Sequence, residues 1–229
     1  MKTKRTFYTE LAYVLGVVAL TFGTAFMERA DFGMSMVVAP SYLIYLKVAE
    51  VLPFFTFGMA EYTLQAVLLV ALCLIMRKFR RSYLFAFVTA VFYGVTLDGV
   101  MLLVGLLPGG TIAYRIAFYV LGLITCAVGV SLLFHTYISP EAYELFVMEL
   151  ADKTGKSVHK VKTIYDCVSC AVGVALSFAF FGPWHFEGVK WGTILCALIN
   201  GFLIGRCTKI FEHFFEFRDG LRWRTFFEK

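Results

Sequence analysis

The chain's apolar residues fall into long, nearly uninterrupted blocks of about 20, each closed by a short charged cluster, and few folds accept that arrangement. Hydrophobic residues make up 60% of the 229 and charged ones only 16%, with a mean hydropathy of +0.77. A soluble domain of this length needs more polar surface to cover its core. A hydrocarbon layer about 30 Å thick is crossed by about 20 helical residues. Inside it every backbone N–H and C=O must be bonded within the chain, so only helices or closed barrels can span it. Barrel strands alternate every second residue, whereas these blocks are continuous. The fold class that follows is an all-α polytopic membrane protein.

Six blocks are long enough to span, at about 8–27, 59–76, 83–107, 113–134, 163–181 and 190–207. The first follows the basic start Lys2, Lys4 and Arg5 and runs to Phe26-Met27-Glu28-Arg29 without a small-x-small cleavage pattern. It therefore reads as a membrane helix and not as a removable signal. Two further segments are helical without spanning. One covers about 35–51, is entered through Asp31-Phe32-Gly33 and carries Pro40. The other opens with Ser139-Pro140-Glu141. Ser is a good N-cap, Pro suits the first helical position, and an acid there favours the positive end of the helix dipole. Tyr143, Phe146, Val147 and Leu150 then recur at helical spacing, and Gly155 is a stop. The end of the chain, 206–227, mixes Phe211, Phe214, Phe217 and Trp223 with basic residues. It reads as a helix in the headgroup region, within a cytoplasmic amphipathic tail over 208–229.

Basic residues orient such a chain, since cytoplasmic loops carry the excess of Lys and Arg. With the N-terminus inside, the inner segments hold Lys2, Lys4 and Arg5; Arg77, Lys78, Arg80 and Arg81; Lys153, Lys156, Lys160 and Lys162; and Arg206, Lys209, Arg218, Arg222, Arg224 and Lys229. Only Arg29, Lys47, Arg115 and Lys190 are left outside. Both termini are expected in the cytoplasm, and the net charge of +5 is accounted for by orientation and anionic inner-leaflet lipid, with no nucleic-acid partner implied.

Matched features divide the chain into two copies, one over about 8–107 and one over about 113–207. Gly23 in the first span corresponds to Gly129 in the fourth. A polar break and a short helix follow each. Then comes an acid, Glu61 in one copy and Asp166 in the other. Last, a polar residue precedes a glycine, Asp98-Gly99 and Asn200-Gly201. Each copy holds three spans, an odd number, so the second must enter from the opposite side. Inverted three-helix repeats of this kind recur in secondary transporters, where short or broken helices at matched positions point to the binding site.

The polar residues of the spans are the candidates for chemistry, because ionisable groups cost about 2.5–3.5 kcal/mol at a helix centre on insertion scales. Asp98 is the most deeply placed and lies in Gly94-Val95-Thr96-Leu97-Asp98-Gly99. Two readings stand for it: a site for a substrate cation, proton or ion, and a structural hydrogen bond between helices. Glu61 and Gln65 share a helix face at i,i+4, with exposure at the outer interface as the plainer reading. Asp166 has Lys162 one turn before it and a local ion pair as its plainer reading. Asn200 can bond across helices. Arg115 is placed to pair with Glu61 or Asp98, or to snorkel to the headgroups. Ser35 and Glu141 stand at the two breaks.

The cysteines are Cys73, Cys126, Cys167, Cys170, Cys196 and Cys207, all within or at the end of apolar blocks. They read as small buried residues and not as a disulfide framework. Cys167 and Cys170 share a face, but no second soft pair accompanies them, so no metal is expected. No phosphate loop, zinc-protease motif or nucleophile elbow occurs, so neither a cofactor nor an enzymatic activity is expected.

Ala30-Asp31-Phe32-Gly33-Met34-Ser35, Ala39-Pro40-Ser41-Tyr42, Phe55-Thr56-Phe57-Gly58, Ser139-Pro140-Glu141, Val161-Lys162-Thr163-Ile164-Tyr165-Asp166 and Glu187-Gly188-Val189-Lys190-Trp191-Gly192-Thr193-Ile194 together carry a resemblance. Over about 16–205 the chain resembles the YczE/YyaS/YitT-type bacterial integral membrane proteins, in particular the YczE-like branch. Phe32 and Met36 depart from the Leu and Pro frequent in that family's first break, which leaves this break to Gly33, Ser35 and Pro40. The resemblance implies a bacterial cytoplasmic membrane and supplies no substrate.

The expectation is a small-molecule transporter or permease with substrate bound between inverted repeats, near Ser35, Glu61, Gln65, Asp98, Arg115, Glu141, Asp166 and Asn200. The acids suit a cationic or polyhydroxy substrate, or proton coupling. The alternative is a non-transporting membrane protein, either a substrate-capture subunit or an accessory protein for another membrane system. Besides the lipid bilayer, a homodimer or a protein partner fits the same pattern.

Overall fold

The computed structural model describes residues 5–108, 110–182 and 187–221. Among them are eight α-helices and two short strands: β1 (Arg5–Tyr8), α1 (Thr9–Ala30), α2 (Ala39–Ala49), α3 (Phe57–Met76), α4 (Arg81–Gly105), α5 (Ile112–Leu133), α6 (Ala142–Thr154), α7 (Val158–Phe181), α8 (Trp191–Phe214) and β2 (Phe215–Arg218). Six helices are long and apolar enough to cross a membrane: α1, α3, α4, α5, α7 from Lys160, and α8. The chain is a multi-pass all-α membrane protein. The order long, short, long, long occurs twice.

Helix ends follow local chemistry. Thr56 caps α3 by accepting from the Met59 N–H at 3.2 Å, and Arg77 ends that helix in the left-handed region. Asp31 closes α1 at φ 52°, a conformation an Asp tolerates better than most residues. Gly155 closes α6 at φ 66°.

The start of α6 differs from the expected cap. Glu141, not Ser139, is the N-cap residue, and Pro140 precedes the helix instead of opening it. Tertiary bonds decide this: the Ser139 carbonyl accepts from the Thr89 hydroxyl at 3.1 Å, and the Ala142 N–H is taken by Gln65 Oε1 at 3.1 Å.

The centre of the molecule is the α1–α5 pair. A Cβ on Gly16 would lie 3.1 Å from the Gly129 carbonyl oxygen, and one on Gly122 would lie 2.9 Å from that of Gly23. With Gly16 beside Gly129 and Gly23 beside Gly122, the two helices run antiparallel at a separation that only small residues allow. Around this pair, α4 packs on α1 and α8 packs on α5; α7 packs on α2 and α3 packs on α6. One correspondence fails. In the first half α3 and α4 lie tightly together, whereas among the described residues α7 and α8 do not pack on one another in that way.

The tail also departs from expectation. Residues 208–214 continue α8, and Phe215–Arg218 pairs in parallel with Arg5–Tyr8. Phe7 lies edge-on between Phe215 and Phe217 at 5.2 and 5.6 Å. Glu10 accepts from the Tyr137 hydroxyl and from the N–H groups of Gly220 and Leu221. An interfacial helix over 206–227 is therefore not formed where the chain is described. The part of that expectation on 222–227, and the orienting charges at Lys2, Lys4, Arg222, Arg224 and Lys229, lie outside the described residues.

Candidate functional site

The polar residues of α3 hold the two short helices. Glu61 and Gln65 are both fully buried, and an isolated carboxyl or amide there would be costly. Each is satisfied. Glu61 Oε1 accepts from the Ser41 hydroxyl of α2. Glu61 Oε2 accepts from the Tyr143 hydroxyl of α6 at 3.0 Å and from Gln65 Nε2 at 3.4 Å. Gln65 Oε1 takes the Ala142 N–H. Two adjacent turns of α3 thus tie down the N-terminal ends of both α2 and α6, which meet beside one buried carboxyl.

Next to this junction is a cavity of about 110 Å³. Its polar lining comes from Ser35 at the first break, Glu141 and Glu144 at the second, Lys162 on α7 and Asn200 on α8. The first half adds Thr24 and Tyr93, which hydrogen-bond each other at 2.8 Å. Two of these groups are unsatisfied: Glu141 Oε1 and Asn200 Oδ1 are buried without a hydrogen-bond partner. Glu141 is 6% exposed. Burial, then the nearby charges of Glu144 and Glu61, push its carboxyl well above the usual carboxylate range, against smaller pulls downward from the Gln65 side chain and then from Lys162. Lys162 Nζ lies 3.7 Å from Glu144 Oε1 and 3.8 Å from Asp166 Oδ1, shared between two carboxylates and hydrogen-bonded closely to neither.

The structure divides the residues expected to bind substrate into three groups. Ser35, Glu141 and Asn200 line the cavity, with Asp166 reaching it through Lys162. Glu61 and Gln65 lie behind it, in the junction of α2 and α6. Asp98 and Arg115 are elsewhere. Asp98 Oδ1 accepts from the Gly58 N–H at 2.8 Å and Oδ2 from the Thr56 hydroxyl at 2.6 Å, so α4 caps the N-terminus of α3. Arg115 pairs with neither Glu61 nor Asp98. It donates to the Ala30 and Asp31 carbonyls and to the Asp31 carboxylate, with its guanidinium over the Phe32 ring at 4.8 Å, and so caps the C-terminus of α1. Lys190 joins Asp31 from the other side.

Several residues at the site are not marked by the sequence as binding residues: Thr24, Tyr93 and Glu144 on the lining, and Ser41 and Tyr143, which look like ordinary members of their short helices. Lys162 is marked only as an orienting charge and as the ion-pair partner of Asp166, and that pair is present at 3.8 Å. The available signal is position: Ser41, Tyr143, Glu144 and Lys162 all follow the breaks that precede a short or a spanning helix.

A second recess, of about 1010 Å³, opens among α5, α7 and α8 where the latter two stand apart. Its wall is Ile116, Tyr119, Val174, Val189 and Leu195, with Asp31 and Lys190 at its edge. Among the described residues no group of three or more metal-ligating side chains occurs. Cys167 is exposed and Cys170 half-buried, with no third ligand.

Over residues 7–209 the chain matches the family model described as a family of unknown function, DUF6198, and it belongs to that family. Neither a curated protein nor a solved structure matches it.

Proposed function

We propose that this member of the DUF6198 family is a small-molecule transporter whose two halves are inverted copies and whose substrate binds in the cavity between them. The observation that carries the reading is the cavity itself: two short helices begin beside it, and two of its lining residues, Glu141 and Asn200, hold buried oxygens without partners. Polar groups left unsatisfied at membrane depth are expensive. A substrate that bonds them gives back what they cost.

The α1–α5 register supports the inversion. The shift of 106 residues that carries Gly23 to Gly129 also carries Gly16 to Gly122, and it exchanges the Gly16–Gly129 contact for the Gly122–Gly23 contact. A two-fold axis lying in the membrane plane has that property. The basic residues favour both termini inside, and the resemblance to YczE-type proteins favours a bacterial cytoplasmic membrane. Glu141 takes the coupling role that sequence depth suggested for Asp98, because Asp98 has both oxygens bonded to the start of α3.

The test is solute-dependent proton flux in proteoliposomes, followed with an internal pH dye against a panel of amines, amino acids, vitamins and thiols. One member of the panel is expected to drive flux, and Glu141→Gln to reduce it more than tenfold. Unchanged flux in Glu141→Gln removes the coupling role.

Absence of flux with every solute turns the reading to a non-transporting subunit. One feature favours that second reading: 56% of the apolar stretch of α5 is buried against 6% of that of α8. With the wide recess beside it, α8 has the surface of a helix that packs on another membrane protein.

A further inference from the structure

The charges around the cavity are lopsided. Glu141 and Glu144 line it from α6, Asp166 stands one helical turn from Lys162, and Glu61 lies behind on α3. Against these four carboxyl groups the described residues lining the cavity offer a single cation, Lys162. It is not fixed by close bonds, since its two carboxylate neighbours are 3.7 and 3.8 Å away. The α2 and α6 N-termini bring partial positive charge, but the first free N–H of α6 is already spent on Gln65. Glu144 and Asp166 share the Lys162 charge, and Glu141, whose carboxyl burial holds protonated above the usual range, ionises as a cation displaces its proton. Glu141 is one of the lining residues, and its buried acceptor Oε1 has nothing bonded to it.

Size narrows the occupant. An apolar cavity of about 150 Å³ takes benzene, so one of about 110 Å³ takes something smaller. Met27, Val38, Val130 and Leu133 line the rest and exclude a heavily hydrated ion that must keep its water.

We infer that this cavity takes a compact organic monocation, an alkylammonium or guanidinium of about four or five non-hydrogen atoms, and that Lys162 is its tethered stand-in. The inference rests on the transporter reading of the same site and deepens it. The ligand's N–H donors bond Glu141 and Asn200, the two oxygens left open, and its charge takes over from the Lys162 ammonium near the carboxyl groups. Lys162 then competes with the ligand, and the apparent affinity is lowered by the fraction of molecules in which it occupies that position.

Isothermal titration of the full chain in detergent tests this with guanidinium chloride, propylammonium chloride and, as a neutral analogue of similar size, acetamide. Saturable binding is expected for both cations and none for acetamide. Lys162→Met is expected to tighten guanidinium binding about tenfold, Lys162→Arg to leave it unimproved, and Glu141→Gln to weaken it at least tenfold. Acetamide binding as well as guanidinium would overturn the inference, as would Lys162→Met failing to tighten it. Should Lys162→Met not fold, Lys162→Gln serves, since it removes the same charge and keeps a polar head; tighter guanidinium binding supports the competition and unchanged binding overturns it. Cation binding without flux in liposomes leaves this site standing and removes the transport reading. Flux of another solute without cation binding does the reverse.

Discussion

The two halves place the same kinds of residue in the same order and put them to different use. In the first, α3 and α4 are drawn together at Gly58 and Gly94 and locked by Asp98, whose two oxygens cap α3. In the second, α7 and α8 stand apart, and Asn200, the counterpart of Asp98, has its oxygen buried beside the cavity without a partner. The acids differ in the same sense. Glu61 is satisfied by Ser41, Tyr143 and Gln65, whereas Asp166 shares one distant ammonium with Glu144. A polar group in an apolar bundle either finds a partner and becomes structure, or is left open and becomes a site. Around the cavity the first half is frame, and the second carries the open groups.

The sharpest way to break this contrast is at the close approach of α3 and α4. A Cβ on Gly58 would meet the Gly94 carbonyl oxygen at 2.1 Å and Asp98 Oδ2 at 2.6 Å, so backbone must move. Gly58→Ala is expected to lower stability by about 3 kcal/mol or more, the upper range of overpacking costs. Gly201→Ala in α8, where nothing lies within 4 Å, is expected to change stability by less than about 0.5 kcal/mol. Thermal unfolding in one detergent compares them. Equal losses would mean that the second half is as tightly locked as the first.

That contrast was only partly legible in the sequence. The six spans were, because apolar runs of this length have one backbone solution in lipid, and helix starts and stops moved by a few residues at most, except where α7 begins earlier and α8 runs on to Phe214. The roles of the acids were not. Asp98 looked functional because it is deepest in its run, but its partners, Thr56 and Gly58, lie 42 and 40 residues away, and no local pattern announces a cap supplied by another helix. Glu141 looked like a favourable dipole residue, and its burial arises only when α3 and α7 close around it. The tail was misread for a different reason. Phe215-Glu216-Phe217-Arg218 alternates with period two, the signature of a strand, and the count of aromatic and basic residues hid it.

A middle-sized effect lies in pH. The Glu141 carboxyl titrates above its unfolded value of about 4.3, so between that value and the raised one the folded state binds more protons than the unfolded state. Stability from this group is fully present below about pH 4 and is lost as pH rises through the raised value, with a slope of up to about 1.4 kcal/mol per pH unit. Unfolding midpoints are therefore expected to fall in the wild type as pH rises above about 5, and Glu141→Gln is expected to flatten that fall. A slope that survives the substitution would assign it to another group and make the second half less open than its geometry implies.

The smallest effect is the most discriminating, because it concerns sign. Asn200 and Asp98 occupy matched places, yet removal of the two side chains has opposite consequences if one is open and the other bonded. Asp98→Leu strips two partners from the start of α3, leaving the Gly58 N–H and the Thr56 hydroxyl to pay desolvation without a bond, a loss of about 2 kcal/mol. Asn200→Leu removes a buried oxygen that had no partner to lose. Leu keeps the same branched outline of four non-hydrogen atoms, and the substitution is expected to leave stability unchanged or raise it by about 1 kcal/mol, while weakening guanidinium binding because one of the two open acceptors is gone. Denaturant or thermal unfolding in detergent reads the first quantity, titration the second. A stability loss in Asn200→Leu comparable with that of Asp98→Leu would place Asn200 in the frame and leave Glu141 as the one open acceptor of the cavity.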